Sequence, residues 1–276
     1  MKKMFAMLLT AMLLVACTAC GGETKDLLSE IQDQGYIELT TEPYFAPYEF
    51  VDPSQTGDAQ FQGMDIEIAK AIADKLEVEL RIVPLYYTAV LAGVADAKYD
   101  MAISAIAYSP SRAEAMNLSD GYYFNDVGYG FLTRAEDAEK YNSVESLKDA
   151  VVITQSGSVQ EGIYNEQVKD LGVKEFKLVA NMTDGFLAVA EGKADVCICD
   201  TGSAQLYADA NGGLAIPDYR FTVDPKLNGV VVALPLNGSE SLMEVVNECI
   251  AQLNEEGKIL QWYQEYSEYA GTLGLQ

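Results

Sequence analysis

The chain has 276 residues and no histidine, so its chemistry falls to carboxylates, arginine, lysine, cysteine and hydroxyls. Without imidazole there is no Ser-His-Asp or Cys-His nucleophile system, and most zinc sites lose a ligand. The stretch "ISAIAYSPSR", residues 103–112, opens as a buried strand, breaks at Ser109-Pro110 and then presents Arg112 in a chain short of positive charge. A guanidinium is a planar fork of N–H donors that matches a carboxylate, which suits Arg112 to holding an anion. A surface ion pair with Glu114 or Asp120 accounts for it equally well at this level and would contribute little. Asp200 closes the apolar run "ADVCICD", where it reads as the polar end of a buried strand. Glu42 and Asp200 could form an acid–base pair, but no characteristic spacing of paired carboxylates supports it. Cys197 and Cys199 share a strand face that poorly suits a disulfide; small buried side chains explain them more simply than a metal site. "SGS", residues 156–158, is no phosphate loop, because no Gly-Lys-Ser/Thr follows.

The elements that must hold these residues alternate between strand and helix. "YIELTTE" alternates like a strand, and "GMDIEIAKAIADKL" follows with Ala69, Ile72, Ala73 and Leu76 on one helical face. "VELRIVP", "YTAVLAGVAD" and "YDMAIS" continue as strand, helix and strand. The second half repeats the logic with "AVVITQSGS", "VQEGIYNEQVKDLG", "EFKLVA", "MTDGFLAVAEGKA" and "DVCICD". Gly172 is expected to stop the first of these helices, and Gly257 to stop the long apolar-faced helix "SESLMEVVNECIAQLNEEGK". Such alternation implies parallel βαβ units, and two such halves without a linker imply two lobes joined by crossing strands. The predicted crossings are residues 128–134 and 228–235.

Lys and Arg number 18 against 42 Asp and Glu, a net charge of −24 that opposes nucleic acid and anionic headgroups. The N-terminus pairs Lys2 and Lys3 with an apolar run to Ala16, too short to span a bilayer, and reads as an export signal. "LVAC" resembles the bacterial lipobox, with Cys17 the lipidated residue and Cys20 a weaker second candidate. Removing residues 1–16 deletes two lysines and no acids, taking the charge to −26.

Five segments then resemble, in order, the polar amino-acid branch of the type II solute-binding proteins that feed ABC importers, bacterial extracellular solute-binding protein family 3. They are "EPYFAPYEF", "FQGMDIEIAKAIADKL", "YDMAISAIAYSPSR", "LSDGYY" and "AEGKADVCICD", spread over about Tyr36 to Tyr266. The resemblance implies an α/β fold of two Rossmann-like lobes joined by two crossing strands. It implies domains at 1–16 (signal), 17–34 (lipidated tether), 35–131 (first part of lobe one), 132–228 (lobe two) and 229–276 (return to lobe one).

For function, the resemblance implies a binding protein and not an enzyme. It would capture an amino acid or related amino-carboxylate and pass it to an ABC permease. It implies no cofactor or metal, a monomer, and a place on the extracellular face of the membrane, or in the periplasm of a diderm. Arg112 takes the position that clamps the ligand carboxylate, Asp200 the one that holds its ammonium, and Glu42 an acidic position that helps the amine in some members. Phe45 and Tyr87 match aromatic walls, Gln155 a position that varies with ligand, and Ser158 a hydroxyl before a helix. Ala105 and Ala107 depart from the pattern, and Ala107 lacks a hydroxyl that normally meets the ligand's polar head. Ser104, Tyr108 or a water is expected to substitute, or the ligand is non-standard: an opine, polyamine, betaine or short peptide. Tyr48, Tyr86, Tyr87, Tyr108 and Tyr123 near the cleft would suit a bulky or cationic ligand. An enzyme on this fold is the more distant alternative.

Overall fold

The computed structural model describes residues 26–124 and 128–274. Cys17, Cys20 and the export signal lie outside them. The strands are β1 (Tyr36–Thr41), β2 (Tyr44–Phe45), β3 (Glu49–Val51), β4 (Phe61–Gln62), β5 (Glu79–Pro84), β6 (Met101–Ala102), β7 (Met116–Leu118), β8 (Tyr123–Phe124), β9 (Tyr129–Arg134), β10 (Val151–Gln155), β11 (Glu175–Val179), β12 (Val196–Asp200), β13 (Leu214–Ala215), β14 (Gly229–Val230) and β15 (Ala233–Pro235). The helices are α1 (Leu27–Gln34), α2 (Met64–Leu76), α3 (Tyr87–Ala95), α4 (Pro110–Ala115), α5 (Val159–Ile163), α6 (Met182–Ala190), α7 (Thr201–Asn211), α8 (Glu240–Glu255) and α9 (Lys258–Leu273).

Two five-stranded sheets form, β5-β1-β6-β15-β7 and β11-β10-β12-β9-β13. In each, the first three strands of the sheet order pair in parallel and the remaining two pairings are antiparallel. Helices cover both faces, because parallel strands fed by helical crossovers are apolar on both sides. α2 shows why these sequences fold this way. Ile68, Ala69, Ile72, Ala73 and Leu76 are buried against the first sheet, while Asp65 and Glu67 in its first turn and Lys75 in its last suit the helix dipole.

Gly63 starts α2 at φ +127°, and a Cβ there would lie 2.2 Å from the Tyr48 carbonyl oxygen. That oxygen accepts the Asp65 N–H, so the clash cannot be relieved without unseating the helix start. Gly63→Ala is expected to cost at least about 3 kcal/mol, combining backbone strain with a direct overlap. Urea unfolding measures it; a change under about 1 kcal/mol would mean the α2 start is not rigid.

Three expectations need correction. Residues 27–34 are not tether: they form α1, with Ile31 fully buried and the Leu27 N–H bonded to the Gly238 carbonyl. Residues 128–134 do not cross between lobes, because β9 pairs with β12 and β13 inside the second sheet. The strands paired between the sheets are β8 and β14, Tyr123 opposite Val230, so the change of lobe falls before Tyr129 rather than at 131. The expected helix at 159–171 is broken: α5 passes into a wider turn at Tyr164–Val168 and a tight one at Lys169–Leu171 before Gly172 at φ +80°. Gly162 within it weakens regular helix.

Candidate functional site

In sheets of this topology, the crevice lies beyond the carboxyl ends of the parallel strands. Those ends carry the residues of interest. Glu42 follows β1, Ser104 follows β6, Gln155 ends β10 and Asp200 ends β12. The two lobes bring them together around a cavity of about 50 Å³. Its lining contains Glu42, Phe45, Tyr87, Ser104, Ala105 and Ala107 from the first lobe, and Gln155, Ser158 and Asp200 from the second. Tyr48 and Tyr87 stand in this wall. Tyr86 does not; it precedes α3 and is 59% exposed. Tyr123 does not either, since it is held in β8 and stacked on Tyr263 of α9 at 4.6 Å.

Arg112 lies beside this cavity, not in its lining. It is 9% exposed, and a larger cavity of about 610 Å³, also lined by Tyr108, opens on its side. Neither Glu114 nor Asp120 pairs with it. NH1 donates to the Ala107 carbonyl, while NH2 donates to the Tyr87 hydroxyl at 3.1 Å and to the Gly157 carbonyl at 2.9 Å. Ala107 and Tyr87 belong to the first lobe and Gly157 to the second, so this guanidinium ties the lobes together. Both N–H groups of NH2 are engaged. A bidentate carboxylate therefore has to displace one of its two acceptors.

Glu42 has no cation in ion-pair or hydrogen-bond contact among the described residues, whereas Asp200 feels the positive charge of Arg220. Glu42 is 2% exposed; Gln155 Nε2 donates to its Oε2 at 2.7 Å, and its buried Oε1 has no hydrogen-bond partner. Burial pushes its pKa up to about 8, against the pull of the Gln155 amide and the Tyr87 backbone N–H. Asp200 caps α7, accepting the Ser203 N–H at 2.9 Å. Burial raises it to about 6, with the Ser203 and Gly202 N–H groups holding it down. Ser158 caps α5 and donates to the Gln155 carbonyl, so its hydroxyl is committed to the turn.

A sequence model of the bacterial extracellular solute-binding proteins, family 3, matches residues 37–269. The chain belongs to that family. The arginine-binding extracellular protein ArtP of Bacillus subtilis is 24% identical over 94% of this chain and 95% of its own. An amino acid ABC transporter substrate-binding protein from Streptococcus pneumoniae, solved with L-arginine, superposes with a TM-score of 0.81. It shares 30% identity and covers 88% of this chain and 98% of its own. At 22% identity, covering 98% of this chain and 97% of the relative, the family resemblance extends to a cyclohexadienyl dehydratase of Pseudomonas aeruginosa.

Family 3 motifs did not point to every residue at the cavity. Tyr129, Asn228 and Val230 also line it. Tyr129 arrives because β9 pairs antiparallel with β12, opposite Asp200, and Val230 because β14 crosses between the lobes. Residues 228–235 were expected to cross, but the partners of these strands, β8 for β14 and β12 for β9, have no local sequence signal. Glu49 had one, since it stands inside "EPYFAPYEF", but strand alternation alone does not turn it inward.

Proposed function

We propose that this protein binds an amino acid with a cationic side chain between its lobes and delivers it to an ABC permease. The observation that carries the reading is the buried, cation-free acid Glu42, with an unpartnered oxygen in a wall shared with Phe45, Tyr48 and Tyr87. A cationic side chain would satisfy Glu42 and lie against these rings. Asp200, at a strand end on the second lobe, would take the α-ammonium. Arg112 would take the α-carboxylate, exchanging its Gly157 contact for the ligand. Contacts to both lobes make the ligand favour closure. The arginine-binding names of the similar proteins agree with this choice. The reading includes a monomer anchored outside the cell by lipid on Cys17. Metabolic labelling with an alkyne fatty acid is expected to mark the wild type and not Cys17→Ser; an unlabelled wild type would remove the anchor.

The engaged state of Arg112 favours a second reading, a cationic ligand without a carboxylate, such as a polyamine. Thermal shift separates the two, because a ligand selective for the native state raises apparent stability by mass action. L-arginine and L-lysine are expected to raise the midpoint well above citrulline and above decarboxylated arginine. A larger shift with decarboxylated arginine would favour the second reading, and no shift with any of them would refute both. An acid held protonated near neutrality also suits general-acid chemistry. Recovery of the ligand unchanged after long incubation is expected of a binding protein; its conversion would make this an enzyme.

A further inference from the structure

Glu49 in the cavity wall and Asp65 behind it have no basic side chain in ion-pair or hydrogen-bond contact among the described residues. Glu49 on β3 is 1% exposed, and Asp65 in the first turn of α2 is fully buried. Asp65 accepts the Ala105 N–H at 2.7 Å and the Tyr122 O–H at 2.9 Å. Glu49 Oε1 accepts the Ser104 O–H at 3.1 Å, and the same Ser104 oxygen accepts the Glu42 N–H at 3.0 Å. Glu49 Oε2 receives no N–H or O–H; Glu49 and Asp65 bond the adjacent residues Ser104 and Ala105, and the Asp65 N–H donates to the carbonyl of Tyr48, next to Glu49. Ser104 and Ala105 line the cavity, and Ala105 holds φ +43°, a left-handed conformation unfavourable to alanine.

We propose that Glu49 and Asp65 share one proton, Glu49 donating to Asp65, and that the pair positions the Ser104–Ala105 turn in the ligand cleft. Two adjacent buried carboxylates cannot both ionise without a cation. Asp65 is the better anion, because it receives an N–H and an O–H, whereas Glu49 receives only the Ser104 hydroxyl. Burial raises both acids, and the neighbouring Asp65 charge raises Glu49 further, well above the usual carboxylate range. The other titratable groups facing the pair are Glu42 before β2, Tyr48 before β3, Tyr87 on α3 and Tyr122 before β8. All are acids, so none supplies a positive charge. The carboxylate of Asp65 anchors the Ala105 N–H and thereby maintains the left-handed turn; the Glu49 carboxyl fixes the Ser104 hydroxyl beside it. Both are positioning residues.

This inference rests on the cleft being the ligand site, so the test has one ligand-free arm. With carboxyl carbons labelled, two glutamate resonances are expected to titrate above the ordinary range, Glu42 and a second that vanishes in Glu49→Gln. Glutamine can donate to Asp65 and accept from Ser104, so Glu49→Gln is expected to retain at least tenfold more L-arginine affinity than Glu49→Leu. Both variants are compared at equal folded fraction. Asp65→Asn, which cannot carry the anion, is expected to lose at least tenfold in affinity. Equal losses in Glu49→Gln and Glu49→Leu, or no raised glutamate resonance lost in Glu49→Gln, would overturn the proposal. If L-arginine fails to bind the wild type, the ligand reading fails alone, and the carboxyl resonance still decides the shared proton. If Asp65→Asn does not fold, the two Glu49 variants decide.

Discussion

Arg112→Ala is expected to weaken L-arginine binding by about 30-fold to several thousand-fold. Removing one member of a buried charge pair costs about 2–5 kcal/mol, at roughly 1.4 kcal/mol per decade of affinity. Two effects contribute. The ligand carboxylate loses its fork of donors, and the closed arrangement loses the bond from Arg112 to the Gly157 carbonyl across the cleft. Arg112→Lys is expected to recover only part, since an ammonium cannot reproduce the planar pair of N–H groups. Folding should survive, because the guanidinium contacts carbonyls and a hydroxyl and packs in no apolar core. Titration calorimetry measures the loss. A change smaller than about threefold would place the carboxylate elsewhere.

Glu42 controls the second large effect and its pH dependence. Its pKa in the unliganded protein is raised from 4.5 to about 8, so at neutral pH it is mostly protonated. The raised value contributes stability that is complete below pH 4.5 and lost as the pH rises toward about 8. Ligand binding runs the other way. A cationic side chain favours the ionised carboxyl, so binding expels the proton, and affinity for L-arginine is expected to rise with pH until about 8. Below that, the gain approaches about tenfold per pH unit if one proton is released per ligand. Glu42→Gln fixes the neutral form. At about pH 9 it is expected to bind L-arginine about 10- to 150-fold more weakly, the size of a hydrogen bond to a charged group. Citrulline should be nearly indifferent to it. Calorimetry in two buffers of different ionisation heat reads the proton directly. Equal heats in both would contradict the assignment of Glu42.

Much of this was legible in the residues themselves. α2 followed from Ala69, Ile72, Ala73 and Leu76 at helical spacing, and β12 from an apolar run ending at Asp200. Nine of the ten residues expected at the ligand site line one cavity, because the family's motifs sit at strand ends. What was illegible depends on long-range pairing. Tyr129 reaches the cavity only through β9 against β12, and the β8–β14 crossing joins residues about a hundred positions apart. The meeting of Glu49 and Asp65 needs β3 and α2 to pack, and neither residue announces a buried acid. α9 follows Gly257 directly, with a glycine at φ +69° that the sequence marked as a stop. Arg112 was singled out by its motif, but its bond to Gly157 joins residues 45 positions apart on different lobes and has no local signal.

The most direct test of the central claim is a thermodynamic cycle by isothermal titration. Wild type and Arg112→Ala are each titrated with L-arginine and with decarboxylated arginine. An interaction shared by the two changes can be lost only once, so the coupling energy is expected to equal the whole Arg112→Ala loss, about 2–5 kcal/mol. Decarboxylated arginine should then bind both proteins about equally. Coupling near zero, with each single change harmful, would mean that Arg112 does not hold the carboxylate, and would contradict the placement of the amino acid across the two lobes.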